Sequence, residues 1–374
     1  MRFSRLTRNQ RNHMPALDST PLLPTSVIGS HGLPGWLYGA LEMIEVGRFG
    51  PTDERELFDD AVRMAIGDQE RAGVDFISDG EMRRWKFVQS FYRRMTGLQS
   101  EGPLRKLGPE AYDSVPRYQA VERIRVPQGL GIVDEFRFLK ANSSHGLKAT
   151  CPGPATISIH IRERPSVYKN RLELAGEFVE VINAELKELV KAGADYIQID
   201  EPSHSIIGGS ARDYIELFNR SVKGVKARIA LHICFGNLAS RARFERTYAP
   251  LFPAIMDADA DELVFEFANR EMREVELAAR ITEKFDLGAG LVDVKSFHQE
   301  PPALVATRLR EVLKHAPAER VRVVPDCGFF TVPRWLCVSK LTNMVAGTRI
   351  VREELAGPAR LRRNPGRSRS MKRA

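Results

Sequence analysis

The stretch KAGADYIQIDEP, residues 191–202, decides the reading of the fold. Its start closes an amphipathic helix: over 171–192, Leu174, Phe178, Val181, Ile182, Leu186 and Leu189 fall on one helical face. Gly193 can take the left-handed conformation that ends a helix. The remainder, DYIQIDEP, is an apolar run that stops abruptly at two acids and a proline. RAGVDFISDG, residues 71–80, repeats the arrangement, with a glycine, an apolar run and an acidic end.

Working outward, the same kind of run recurs along the chain. Candidate strands are SVIGS (26–30), VDFISDG (74–80), LKATCPG (147–153), DYIQIDEP (195–202), RIALHICFG (228–236), ELVFEF (262–267), GLVDVKS (290–296) and RVVPDCG (322–328). Near-continuous apolar strands separated by helices imply a parallel sheet covered on both faces. Eight such units predict an α/β fold of the (β/α)8 TIM-barrel type. An open doubly wound sheet is the alternative, but no glycine-rich phosphate loop follows any of these strands. Residues 101–146 break the rhythm: AVERIRVP and DEFRFLKA flank QGLG, which reads as an inserted β-hairpin.

The expected organisation is an N-terminal extension at 1–22, disordered; a barrel at 23–356; and a basic, disordered tail at 357–374. The chain has 374 residues, 43% of them hydrophobic, enough for one large core. Net charge is +8, but the basic excess gathers in ARLRRNPGRSRSMKRA, which has no aromatic interleaving. A solvated tail is expected there, and no nucleic-acid partner. No run is long and apolar enough to suggest a membrane span, and the first 20 residues lack the apolar core of a secretory signal. A cytoplasmic location follows as an expectation, and with it four cysteines kept reduced.

In a barrel the site gathers at the C-terminal ends of the strands. Here those ends carry Ser30, Asp79, Glu81, Cys151, Asp200, Glu201, His232, Cys234, Glu266, Asp293, Lys295, Asp326 and Cys327. Residues i and i+2 on a strand face the same side, so His232 and Cys234 project together. With Glu266 and Cys327 closing later strands, an imidazole, two thiolates and a carboxylate make a tetrahedral zinc set. A lone buried cysteine is usually a small hydrophobe. Cys337, in a helical pattern, is read that way, and Cys151 as lining the cavity.

Taken together, these segments resemble the C-terminal catalytic barrel of the cobalamin-independent methionine synthase family. VIGS (27–30), DGE (79–81), IQIDEP (197–202), HICFGN (232–237), VFEFANR (264–270), GLVDVKS (290–296) and PDCG (325–328) run in the family's order across about 24–350. The resemblance implies Zn²⁺ on His232, Cys234, Glu266 and Cys327. It also implies an amino-acid pocket in which Glu81 and Asp200 hold an ammonium and the surroundings of Ser30 hold a carboxylate. The activity implied is methyl transfer to the thiol of homocysteine, from a methylfolate or a methylcorrinoid. Two departures matter. Only about 20 residues precede the first strand, so the chain resembles single-barrel members. Lys295, beside Asp293, stands where full-length members place a proton-delivering histidine; an ion pair of Lys295 with Asp293 or Asp326 is the alternative role. Zinc-dependent alkyl transfer to another thiol, as in epoxyalkane–coenzyme M transferases, is the competing function. A uroporphyrinogen-decarboxylase-like barrel or a non-catalytic binding protein lies further off. A homo-oligomer is compatible with this reading.

Overall fold

The computed structural model describes residues 20–102, 117–202, 210–236, 246–330 and 332–357. Eleven strands occur among them: β1 (Phe76–Ile77), β2 (Thr96–Gly102), β3 (Arg117–Arg125), β4 (Gly146–Leu147), β5 (Ala149–Pro152), β6 (Ile161–Arg162), β7 (Tyr196–Asp200), β8 (Arg228–Ile233), β9 (Glu262–Glu266), β10 (Asp286–Val292) and β11 (Val321–Pro325). A parallel six-stranded sheet runs β11-β10-β9-β8-β7-β5. Its two ends are joined through short pairings. β4, one residue before β5, pairs with β1; Phe76 of β1 bridges Ser26, and Thr25 bridges Val323 of β11, all parallel. Counting β4 and β5 as one stave and Thr25–Ser26 as another, eight parallel staves close a ring, and each matches one expected strand.

The helix junctions follow the sequence. Helix Pro51–Ala72 ends at Gly73 with φ 80°, and Gly193, after helix Val179–Lys191, has φ 95°. The left-handed turn lets each chain drop straight into the next strand. The face expected over 171–192 is buried at Leu174, Phe178, Ile182, Leu186 and Leu189, although the segment breaks into two helices, Arg171–Gly176 and Val179–Lys191.

The inserted hairpin needs a correction. AVERIRVP does supply part of β3, but β3 pairs antiparallel with β2, which precedes it. DEFRFLKA is not a strand: it lies in helix Ile132–Asn142, burying Ile132, Phe136 and Leu139 at helical spacing. That helix starts on a carboxylate from elsewhere, since Glu185 accepts the backbone N–H groups of Leu130, Ile132 and Val133. The 1–22 extension lies outside the described residues up to position 19, and the tail from 358 onward.

Strand alternation fills the ring. Ile28, Phe76, Tyr196, Ala230, Val264 and Val324 form an inner apolar cluster. Below it, at the strand starts, Glu262 is fully buried against the Tyr196 hydroxyl, Arg228 and Arg322. The larger core packs the outer strand faces against the helices. No helix among the described residues is long and apolar enough to cross a membrane.

Candidate metal centre and substrate pocket

The interior alternation that places Tyr196 and Gln198 also places Asp200 at the top of β7. On β8 it runs through Ala230 and His232 to Cys234, just past the strand; on β9 it runs from Glu262 to Glu266. Asp200 and His232 are in register across the β7–β8 pair.

One ring nitrogen of His232 and the sulfurs of Cys234 and Cys327 lie within 4.8 Å of one another. The two sulfurs are 3.2 Å apart. His232 Nδ1 sits 2.7 Å from Asp200 Oδ1. A carboxylate accepts, so the proton belongs on Nδ1 and the lone pair on Nε2, the tautomer a metal ligand needs. Nε2 is buried and makes no hydrogen bond. An orphaned imidazole nitrogen beside two sulfurs is a donor set that fits a soft or borderline metal ion.

The Cys327 thiol is held well below its usual range, first by the hydrogen bond with Cys234 and then by His232 and Lys295. The same bond, with burial, pushes the Cys234 thiol well up. Burial acts to lower the His232 imidazole, but Asp200 and Cys327 outweigh it and carry the group to about 9.

Glu266 is fully buried one strand over and lies outside that three-residue group. Its Oε2 accepts from Lys295 Nζ at 2.6 Å and from the Phe235 N–H at 3.2 Å, while Oε1 has no hydrogen-bond partner. The ion pair considered for Lys295 with Asp293 or Asp326 is therefore made with Glu266. Asp293 accepts the Lys295 backbone N–H and the Asn269 amide, fixing the loop. Asp326 accepts the N–H groups of Phe267, Ala268 and Asn269, which pins the chain just after Glu266.

Glu81 stands across the mouth in the left-handed region, φ 53°, unusual for a residue with a side chain. Thr150 Oγ1 donates to its Oε1 at 2.7 Å, and Arg84 is 3.5 Å away. Burial pushes the Glu81 carboxyl up to about 7, against Arg84; Asp200 and Asp79 add to the rise. A side chain at position 29 would displace the Glu81 carboxylate, so glycine there leaves room for it. One at 328 would collide with Ser30 Oγ, so the Ser30 and Cys327 loops touch.

Several partners carry no motif. Lys148 Nζ donates to Gln198 Oε1 at 2.7 Å, and Gln198 Nε2 donates to Asp200 Oδ1 at 2.7 Å. Asp200 Oδ1 thus takes both Gln198 and His232. Gln198 could have been found by parity, being two residues before Asp200; Lys148 and Thr150 needed the neighbouring strand's register. Cys151 does not line the cavity. Lys148 and Thr150 face inward, so Cys151, the residue after Thr150, faces the helices, fully buried in the main core. Cys337 is buried as expected.

The chain is 37% identical to a methionine synthase of Sulfurisphaera tokodaii, with 91% of this chain and 95% of that protein aligned. It is 35% identical to one from Thermococcus kodakarensis, covering 90% and 95%. A solved B12-independent methionine synthase from a Shewanella species, in complex with selenomethionine, superposes with a TM-score of 0.77 at 27% identity, covering 90% of this chain and 99% of that one. The model of the cobalamin-independent synthase catalytic domain matches residues 23–349, and the chain belongs to that family.

Proposed function

We propose that this chain makes methionine by methylating the sulfur of homocysteine at a zinc ion held by His232, Cys234, Cys327 and Glu266. The observation that carries the reading is the convergence of one imidazole nitrogen and two sulfurs within 4.8 Å at the mouth of the barrel. Zinc bound there would supply Lewis acidity, keeping the acceptor sulfur deprotonated near neutral pH. The protein's part is to hold the donors and the substrate. Asp200 fixes the His232 tautomer. Glu266 would help hold the ion through Oε1, which has no hydrogen-bond partner, while Oε2 accepts from Lys295. Glu266 would be the hardest donor of the four.

Glu81 and Asp200 receive the substrate ammonium, and the Ser30 loop its carboxylate. Charge-assisted hydrogen bonds from two sides fix the direction of the thiol. The methyl donor is a methylfolate or a methylcorrinoid. The buried Lys295–Glu266 pair, 2.6 Å apart, favours the corrinoid, because such a pair holds a proton instead of releasing it to a folate nitrogen.

The test is purified protein with homocysteine and each donor, with and without zinc. Zinc-dependent methionine formation is the expected result. Alkylation of coenzyme M in preference to homocysteine would overturn the assignment.

A further inference from the structure

Behind the substrate pocket lies a partly buried ionic cluster that neither the metal nor the methyl transfer uses. His31 follows Ser30 directly and is 2% exposed. Its Nε2 lies 3.1 Å from Asp68 Oδ2, and Cys337 Sγ lies 3.3 Å from its Nδ1. Asp68 also accepts two hydrogen bonds from Arg334, at 2.6 and 2.8 Å, and one from Arg71 at 2.5 Å. Burial acts to lower the imidazole, but the Cys337 sulfur and the Asp68 carboxylate outweigh it and carry His31 to about 9. At neutral pH the cluster is an imidazolium and two guanidiniums around one carboxylate.

Its connections lead to the pocket. The His31 backbone N–H donates to Gly80 O at 2.9 Å, next to Glu81. Gln69, beside Asp68 on helix Pro51–Ala72, donates to Ser78 O and accepts the Ser78 N–H. Ser78 Oγ donates to Gly29 O at 2.6 Å and accepts the Gly80 N–H. Arg334 and Cys337 belong to helix Arg334–Ala356, and Phe329, in the loop before it, donates its N–H to Ser30 O at 2.8 Å. Three segments therefore meet at the cluster: the Ser30 loop, the Glu81 loop with its supporting helix, and the loop and helix after Cys327.

We propose that His31, Asp68 and Arg334 form a positioning clamp for the amino-acid substrate, fixing the separation between Ser30 and Glu81 and so between the groups that meet the substrate's carboxylate and ammonium. The proposal rests on the homocysteine reading above. None of the three is placed in contact with substrate; they act through the loops they tie. Packing alone does not call for charges here, since apolar residues of similar volume commonly serve stability as well as a buried ion pair. What the charged cluster adds is direction. Each loop is held by a hydrogen bond of fixed geometry, and small displacements of a binding group are costly.

The test uses the full chain carrying Asp68→Asn, Arg334→Gln, His31→Phe or His31→Gln. Zinc content, kcat, and KM for homocysteine and for the donor are measured for each. The first three variants should raise KM for homocysteine about tenfold, with kcat and the donor KM within about twofold and zinc unchanged, the pattern of lost uniform binding. His31→Gln keeps a donor toward Asp68 and should recover most of the affinity. Arg334, 40% exposed, carries the test should His31→Phe not fold. Unchanged homocysteine KM in Asp68→Asn and Arg334→Gln would overturn the clamp alone. Equal losses toward donor and homocysteine would also overturn it. A wild-type protein that leaves homocysteine unmethylated would instead overturn the functional reading, and this one with it.

Discussion

At the residue scale, His232, Cys234 and Cys327 have the charge pattern of a ligand set, with the Cys327 thiol held low and the Cys234 thiol and the His232 imidazole held protonated. Binding zinc must expel the proton that keeps Cys234 neutral and the one that makes His232 an imidazolium at pH values below about 9. Zinc affinity should therefore fall as pH drops from about 9. Titration with a competing chelator between pH 6 and 9 would show it, and a flat profile would refute it. In Cys234→Ser and Cys327→Ser the hydroxyl replaces a thiolate poorly, so each should lose most of about one zinc per chain. Glu81 makes a separate prediction. Its carboxyl is raised to about 7, so below that pH it is neutral and offers an ammonium little attraction. KM for homocysteine should fall as pH rises through 7, and Glu81→Gln should flatten that dependence; an identical profile in the variant would remove Glu81 from the pocket. Most of these residues were legible because alternation puts i and i+2 on one face and because strand ends in a barrel converge. Lys148, Thr150 and His31 were not, because their partners lie 50 or more, 69 and 37 positions away and no local spacing encodes them.

At the element scale, junctions were readable and insertions were not. RAGVDFI and KAGADYI announce helix, left-handed glycine and strand in local sequence, and both glycines have positive φ. DEFRFLKA alternates like a strand over its first residues, yet Ile132, Phe136 and Leu139 are buried at helical spacing. Tertiary capping by Glu185 supports that helix. Its buried carboxylate takes the N–H groups of Ile132 and Val133, which a helix start otherwise leaves unpaired, and that of Leu130 just before the cap, an arrangement invisible in the segment itself. Glu185→Ala should cost on the order of 3 kcal/mol, since it removes charge-assisted bonds and leaves buried donors unmet. Urea unfolding measures this, and a loss below about 0.5 kcal/mol would show that water satisfies those donors equally well. Gly131, the residue before this helix, has φ 86°, so the turn into it is also set by backbone conformation.

At the scale of the whole molecule, the barrel sets the candidate site at one face and a buried ionic hub at the other. Asp200, His232 and Glu266 lie at or next to the last residues of their strands at one mouth, while Tyr196, Arg228, Glu262 and Arg322 occupy the starts of strands at the other. Glu262 is the hub of the second group. Both its oxygens lie 3.1 Å from the Tyr196 hydroxyl, Arg228 donates to it at 3.0 Å, and Arg322 Nε lies 3.1 Å away. The arginines hold its carboxyl below the usual range despite complete burial. Replacing it by leucine would leave Arg322 in the interior without its counter-charge, whereas Arg228 keeps Asp286 at 2.5 Å. Removing one partner of a buried pair typically costs about 3–5 kcal/mol. Glu262→Leu should therefore shift the urea midpoint by that equivalent. Zinc content and kcat/KM of the folded fraction should stay at wild-type values, because Val264 and a full layer of side chains separate Glu262 from Glu266. Glu262→Gln, which retains an acceptor for Tyr196 and Arg228, should lose less. Stable folding with lost zinc would mean that the two ends of the barrel are coupled through the β9 backbone, and that the site and the hub are not independent in this chain.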